Sequence, residues 1–349
     1  MHHVAVQALP RIVAYRPLVN QPDRLSRAAP RCLAASRRRC RGRARNAADR
    51  QTPGSASSLV AHHTTSALGV ALGRSLFFEP RLSSNHQVSC ASCHDPTHAF
   101  TTPEAKPTRG VTGRALERNA PALINLAWAN TGLFWDGGAK NLESLALGPL
   151  THEDEMGRSI ELTSLLTELA ADTVYKECFR EVFGGEEIKV GQILDALAQY
   201  QRSLIFASSR WDEHTLDATE QAGERVFTRH CARCHTPPLF TDNAFHNNGL
   251  DSDFLGPALA IKRGRMRVTQ RAQDLGKFKT PSLRALERSA PYMHDGRFRT
   301  LDQVIAHYRF GMRDSETLDS GFSAPGVSMS DAESSALAAF LRSLDSMPR

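Results

Sequence analysis

The sequence predicts an all-α fold in two domains, and three observations carry that prediction. Apolar residues recur at helix-face spacing in several segments, alternating strand patterns are almost absent, and one five-residue cysteine motif occurs twice, far enough apart for each copy to occupy a helical domain of its own. At 349 residues, 41% hydrophobic and 23% charged, the chain is long enough for two such domains, and collagen, coiled coil and wholesale disorder are excluded.

Taken from the N-terminus, residues 1–50 hold 12 Arg, no Lys and only Asp23 and Asp49, a charge of +10 within a total of +6, so the other 299 residues carry −4. A basic chain invites a nucleic-acid reading, but this charge is confined to a segment without aromatic interleaving, and no nucleic-acid partner is expected. The longest apolar run, Leu68 to Phe78, is broken by Arg74 and falls short of the roughly 18 residues a membrane span needs. No secretory signal is legible either: Val4 to Tyr15 is interrupted by Gln7, Pro10 and Arg11, and no apolar region follows Arg37, Arg38 and Arg39. Residues 1–57 are therefore expected to be a disordered tail or a misassigned start, ending in a Pro/Gly/Ser linker.

From residue 58 a helical pattern runs to about Phe78. Val190, Ile193, Leu194, Leu197 and Leu204 define a second amphipathic helix, and Leu337, Phe340, Leu341 and Leu344 a third. Capping-box spacing marks three starts, at Asp217 with Glu220, Thr300 with Gln303, and Ser330 with Glu333. The connections over 95–120 and 236–280 are long and polar, a length that usually carries function.

Seven cysteines occur, at positions 32, 40, 90, 93, 178, 231 and 234. Cys178 falls on a helix with Tyr175 and Phe179 and reads as a buried structural thiol, while Cys32 and Cys40 lie in the Arg-rich tail. The other four form Cys90-Ala91-Ser92-Cys93-His94 and Cys231-Ala232-Arg233-Cys234-His235. Two thiols at this spacing add across the two vinyl groups of one heme, and the histidine that follows is placed to ligate its iron. A four-cysteine zinc site or a redox dithiol requires no histidine after each pair. Two covalent hemes c are expected, with His94 and His235 as iron ligands, in cytochrome c-like domains spanning 58–214 and 215–349. Because heme c is attached outside the bacterial cytoplasm, the motif implies a periplasmic protein despite the missing signal.

Further motifs surround these pentapeptides: Leu82-Ser83, Val88-Ser89-Cys90, Arg118-Asn119-Ala120-Pro121, Phe134-Trp135-Asp136-Gly137, Glu155-Met156, Lys279-Thr280-Pro281-Ser282-Leu283-Arg284 and Pro291-Tyr292-Met293-His294-Asp295-Gly296. With them the chain resembles the bacterial diheme cytochrome c peroxidases, including their MauG branch, over about residues 66–345. The resemblance implies a peroxidase in which hydrogen peroxide meets the N-terminal heme and the C-terminal heme passes electrons. It makes Glu155 the acid/base beside the peroxide site, whereas by itself Glu155 is one acid in the loop run Glu153, Asp154 and Glu155. Trp135 becomes the residue between the hemes that relays electrons, instead of simple core. Asn119 and the carbonyls of Ser289 and Pro291 become a calcium site at the domain junction.

The family's sixth ligand to the second heme lies fourteen residues after the histidine of the Pro-Tyr-x-His-Asp-Gly motif, which is Tyr308, with His307 and Met312 as alternatives. Two departures from the wider family are visible. Its distal histidine falls near Gly110 or Val111, neither able to ligate iron, which implies an open first heme as in the MauG branch. A distal-pocket glutamine is replaced by Leu145. The expected partners are hydrogen peroxide and either a small donor, such as a cytochrome c or a cupredoxin, or a protein substrate oxidised on one of its residues. A diheme electron carrier without catalysis is the rival from another class, and it requires both irons to be six-coordinate.

Overall fold

The computed structural model describes residues 65–102, 108–158, 162–254, 256 and 261–345. The Arg-rich tail with Cys32 and Cys40 lies outside them. Helices are α1 (Ala67–Phe77), the single turn α2 (Cys90–Cys93), α3 (Leu142–Thr151), α4 (Leu162–Ala171), α5 (Thr173–Phe183), α6 (Val190–Arg202), α7 (Ala218–His230), the short α8 (Met266–Thr269), α9 (Leu301–Ala306) and α10 (Asp331–Ser343). The fold is predominantly helical. Among the described residues its one sheet pairs β1 (Phe245–His246) with β2 (Phe278–Lys279), antiparallel, with Phe245 opposite Lys279.

The three capping boxes form as the sequence predicts, with Glu220, Gln303 and Glu333 amides donating to Asp217, Thr300 and Ser330. One helix is shorter than its pattern: α6 stops at Arg202, and Leu204 reaches the core from the loop beyond it. Cys178 is buried on α5.

Buried apolar side chains form two clusters. The first draws on Leu72, Phe77, Leu169, Ile193 and Leu197, the second on Val226, Phe227, Ile305, Leu337 and Phe340, and the change from one to the other falls between Leu204 and Val226. This is a two-domain architecture. Each domain is built on one crossing of two helices, α1 with α6 and α7 with α10. In both the contact is made by a glycine. A Cβ on Gly73 would stand 1.8 Å from the Ala196 carbonyl, and one on Gly223 would stand 2.0 Å from that of Ala336. Tyr200 and Phe340, each four residues on, close over these glycines. Gly223→Ala is expected to cost about 1–3 kcal/mol, since the helices must part to admit a methyl group. Chemical denaturation of the purified protein reads it, and an unshifted midpoint would mean that the crossing has slack.

The likeness between the halves extends further. Phe77 and Phe100 pack against Tyr200 in the first, and Phe227 and Phe240 against Phe340 in the second. Leu133 bridges Ala139 and Tyr292 bridges Phe298, in each case just before a capped helix starts at Asn141 or Thr300. Trp135-Asp136-Gly137 and His294-Asp295-Gly296 therefore occupy equivalent turns. Between the domains Asn119 stitches the seam: its amide nitrogen donates to the His294 carbonyl at 2.8 Å and its own carbonyl accepts from the Trp135 indole at 2.7 Å.

Candidate functional site

Each pentapeptide presents its histidine in the same way. α2 turns tightly because the Ser89 amide is held by the Ser92 hydroxyl at 3.0 Å, and the His94 amide then donates to the Cys90 carbonyl at 2.9 Å. The His94 Nδ1 lies 2.8 Å from the Phe100 carbonyl. A carbonyl only accepts, so Nδ1 carries the proton. Burial pushes the imidazole down to about 4, so it is neutral with its Nε2 lone pair free, the form that ligates a metal. In the second copy α7 runs into Cys231, His235 Nδ1 lies 3.1 Å from the Phe240 carbonyl, and burial again lowers the imidazole. Phe100 and Phe240 both adopt left-handed backbone, with φ of 57° and 55°, which brings each carbonyl back to its histidine. The four thiols are not disulfide-bonded, and burial pushes Cys90 and Cys231 up to about 12 and Cys93 to about 11.

These residues fit a heme at each site. Two buried nitrogens at the seam support the fit, because His294 Nε2 and Arg118 Nε have no hydrogen-bond partner, as expected of donors that await an anionic group such as a propionate. Both side chains lie on Phe278, with the His294 ring stacked 3.6 Å from it and the Arg118 guanidinium 5.8 Å from its centre. An open-sided cavity of about 100 Å³ crosses the seam, lined by Leu123, Trp135, Leu145, Leu239 and Lys279 among others.

Glu155 sits in the turn after α3. Its amide donates to the His152 carbonyl at 3.1 Å, and the Gly157 amide donates to the same oxygen at 2.9 Å. The turn is clamped from three sides. Ser84 donates to the Met156 carbonyl, Val111 donates to the Glu155 carbonyl, and the buried Arg158 guanidinium reaches the Arg81 carbonyl at 2.7 Å and Glu168 at 3.1 Å. Burial raises the Glu155 carboxyl above its ordinary range; nearby His152 opposes the shift and Asp154 adds to it. Burial raises the Cys93 thiol to about 11, and the charge of nearby Glu155 adds to the shift. His152 is exposed and turned back, its Nδ1 accepting from the Asp154 amide at 3.2 Å.

Tyr308 lies in a π-helical turn, His307–Gly311, that follows α9. Burial pushes its phenol up to about 12, with the charges of nearby Cys231 and Cys234 adding to the shift. Asn248 Nδ2 donates to the Tyr308 oxygen at 3.1 Å. His307 turns the other way, with its Nε2 donating to the Asn248 carbonyl at 3.1 Å. Met312 is buried, its amide donating to Pro325. Fourteen residues after Trp135, the counterpart of His294, stands Pro149, which offers no ligand atom.

Asn119 and Pro291 are in contact, Nδ2 donating to the carbonyl at 2.7 Å, while the Ser289 hydroxyl donates to Leu286. Turning the Asn119 amide over would place its oxygen beside the Pro291 carbonyl. Among the described residues the one His/Cys/Asp/Glu group of metal-binding geometry is Cys234, Asp242 and His246. His246 has Nδ1 on Asp319 at 2.5 Å and Nε2 on Asp242 at 2.8 Å, and these partners with Cys234 push it up to about 10. An imidazolium that donates from both nitrogens is no metal ligand. Asn248 and Arg158 are the site residues that sequence reasoning missed; Asn247-Asn248-Gly249 reads only as a turn.

The di-haem cytochrome c peroxidase family model matches residues 67–220, and the cytochrome c model matches residues 220–345. The chain is 38% identical over 288 residues to the methylamine utilization protein MauG of Methylorubrum extorquens, covering 80% of this chain and 78% of that one. It belongs to the di-haem cytochrome c peroxidase and MauG family. Cytochrome c551 peroxidase of Nitrosomonas europaea is 33% identical over 241 residues, 67% of this chain and 70% of that one. Among solved structures, a MauG-like protein associated with microbial copper homeostasis superposes with a TM-score of 0.73 at 30% identity, over 87% of this chain and 96% of the other. The family assignment makes the protein a cytochrome c peroxidase-like oxidoreductase that uses two hemes for electron transfer. No helix among the described residues is long and apolar enough to cross a membrane.

Proposed function

We propose that this family member is a periplasmic peroxidase with one heme c bound covalently through Cys90 and Cys93 and a second through Cys231 and Cys234, in domains of residues 58–214 and 215–349. The observation that carries the reading is the repeated arrangement of a buried, neutral histidine whose Nδ1 is held by a phenylalanine carbonyl directly after each cysteine pair. His94 and His235 would hold the two irons through Nε2. When bound, the hemes supply the iron at which peroxide is cleaved and the capacity to hold and move electrons.

Glu155 does the proton work at the first site. As a carboxylate it takes the proton from one peroxide oxygen and, as the acid, returns it to the other as that oxygen leaves as water. The whole reaction consumes one peroxide, two electrons and two protons and yields two waters. Neither Pro149 nor Leu145 offers an atom that could ligate iron. Trp135, tied to Asn119 in one domain and to the Lys279 amide at 2.8 Å in the other, is placed to carry electrons across the seam. A calcium ion held by Asn119 Oδ1 and the Ser289 and Pro291 carbonyls would brace the same junction.

Tyr308 would hold the second heme through its phenol oxygen, oriented by Asn248. Tyr308→Phe is expected to change the spectrum of the second heme and shift its potential, Asn248→Leu to shift the potential less, and Met312→Leu to leave both unchanged. Optical redox titration reads all three, and a change confined to the Met312 variant would reassign the ligand. An anionic oxygen ligand favours high-valent iron, which with the MauG likeness supports a second reading, peroxide-driven oxidation of a residue on a partner protein. Stoichiometric peroxide added to the diferric protein, followed by small donors, separates the two. Donor turnover supports the peroxidase, while a long-lived oxidised state indifferent to donors supports the protein-modifying reaction.

A further inference from the structure

Residues 262–279 hold seven cations (Lys262, Arg263, Arg265, Arg267, Arg271, Lys277 and Lys279) against the single anion Asp274. That is +6 in a body of −4, so the rest of residues 51–349 carries −10. Only Lys262, with Asp251, and Lys277, with Asp274, form ion pairs among the described residues. Such a run is often no more than a solvated loop, but this one is built rigidly. Arg265 donates to the Lys277 carbonyl at 2.7 Å and Gly276 to that of Arg263 at 3.1 Å, which closes the loop at its neck. Gly264, at φ 54°, makes the closure possible, because a Cβ there would stand 2.2 Å from the Lys277 carbonyl. Thr269 and Asp274 tie the far end at 2.8 Å.

The closed loop is bolted across the domain seam onto the turn that carries Trp135. Arg265 lies 3.9 Å over the Phe245 ring and donates to the Asp136 carbonyl at 3.1 Å, and Arg118 reaches the Ile261 carbonyl at 3.3 Å. Outward it presents Arg267 and Arg271, both exposed, with Val268 44% exposed beside them. Val268 lies 3.8 Å from where a Gly138 Cβ would be, so the exposed face begins three residues from Trp135. Cations held on a closed loop lose little freedom when a partner binds, and an apolar side chain among them gives that partner something to desolvate.

We propose that Arg267, Val268 and Arg271 form the docking face for the acidic surface of a small redox protein, which delivers its electrons next to the Trp135 turn. The inference rests on the peroxidase reading above and deepens it. Two donor molecules each give up one electron for every peroxide reduced to two waters, with two protons drawn from solvent. Opposite charge would hasten encounter, an effect on the order of 10–10³ that salt suppresses.

The test compares the heme-loaded wild type with Arg267→Glu/Arg271→Glu and Arg267→Lys/Arg271→Lys. Three donors are used: a reduced soluble cytochrome c of net negative charge, one of net positive charge, and a small neutral phenol. With the acidic cytochrome at low salt, the charge-reversed variant is expected to lose about tenfold or more in second-order rate and most of its salt dependence. The lysine variant should keep most of the rate, and all three proteins should oxidise the phenol equally. Wild-type rates with the acidic cytochrome in the reversed variant, or an equal loss with the phenol, would overturn the proposal. If no donor turns over, the peroxidase reading has failed; calorimetric binding of the acidic cytochrome to wild type and reversed variant then still decides the docking face. Reversal that abolishes binding to anionic phospholipid vesicles but not to the cytochrome would assign the loop to a membrane surface instead.

Discussion

With Cys90 and Cys93 both replaced by Ala, the protein is expected to keep one heme through denaturing electrophoresis where the wild type keeps two, and its peroxide reaction should fall to background. These two cysteines form no disulfide, and the proposed thioether bonds through them are what would keep the first heme in place through denaturation. Without those bonds the iron would be held at His94 alone, and denaturant strips a heme so bound. The effect should be confined to the first site, because the second pair belongs to a separate core cluster. Intact mass reads the result directly, and a variant that still carries two hemes would remove the basis of the assignment.

Glu155→Gln is expected to leave both hemes in place and slow the reaction with peroxide by about 10²-fold, the usual scale for one acid–base group. The pH profile carries a sharper signature. Taking a proton from peroxide requires the carboxylate, and burial raises the pKa of this group, so the wild-type rate should climb as pH rises through that raised value and then level off. The amide variant should be low and flat over the same range. Rapid mixing across pH reads both, and an undiminished climb in the variant would move the proton transfer elsewhere, for instance to His152.

What the sequence discloses and what it conceals divide by distance along the chain. The capping boxes at Asp217, Thr300 and Ser330 join residues three apart, so each is written in one stretch and each forms as read; the two cysteine pentapeptides are written just as locally. The turn that holds Glu155 and the phenol of Tyr308 depend instead on Arg158 with Arg81, 77 residues away, and on Asn248 with Tyr308, 60 residues away. Neither pair has a periodicity or a spacing that would announce it. Trp135 and His294 each precede an Asp-Gly pair, and the matching bridges at Leu133 and Tyr292 make them equivalent although the two side chains are unlike.

Gly110 has a bearing on how this protein can change over time. A side chain there would begin 2.0 Å from the Asp154 carbonyl and 2.3 Å from that of Glu155. At the next position, Val111 presses against Gly157, whose Cβ would stand 2.9 Å from Cγ2. Any side chain at 110 would thus have to move the backbone of the Glu155 turn. A histidine placed at 110 would therefore displace the turn that carries Glu155, so the acid and a larger residue at this position exclude one another.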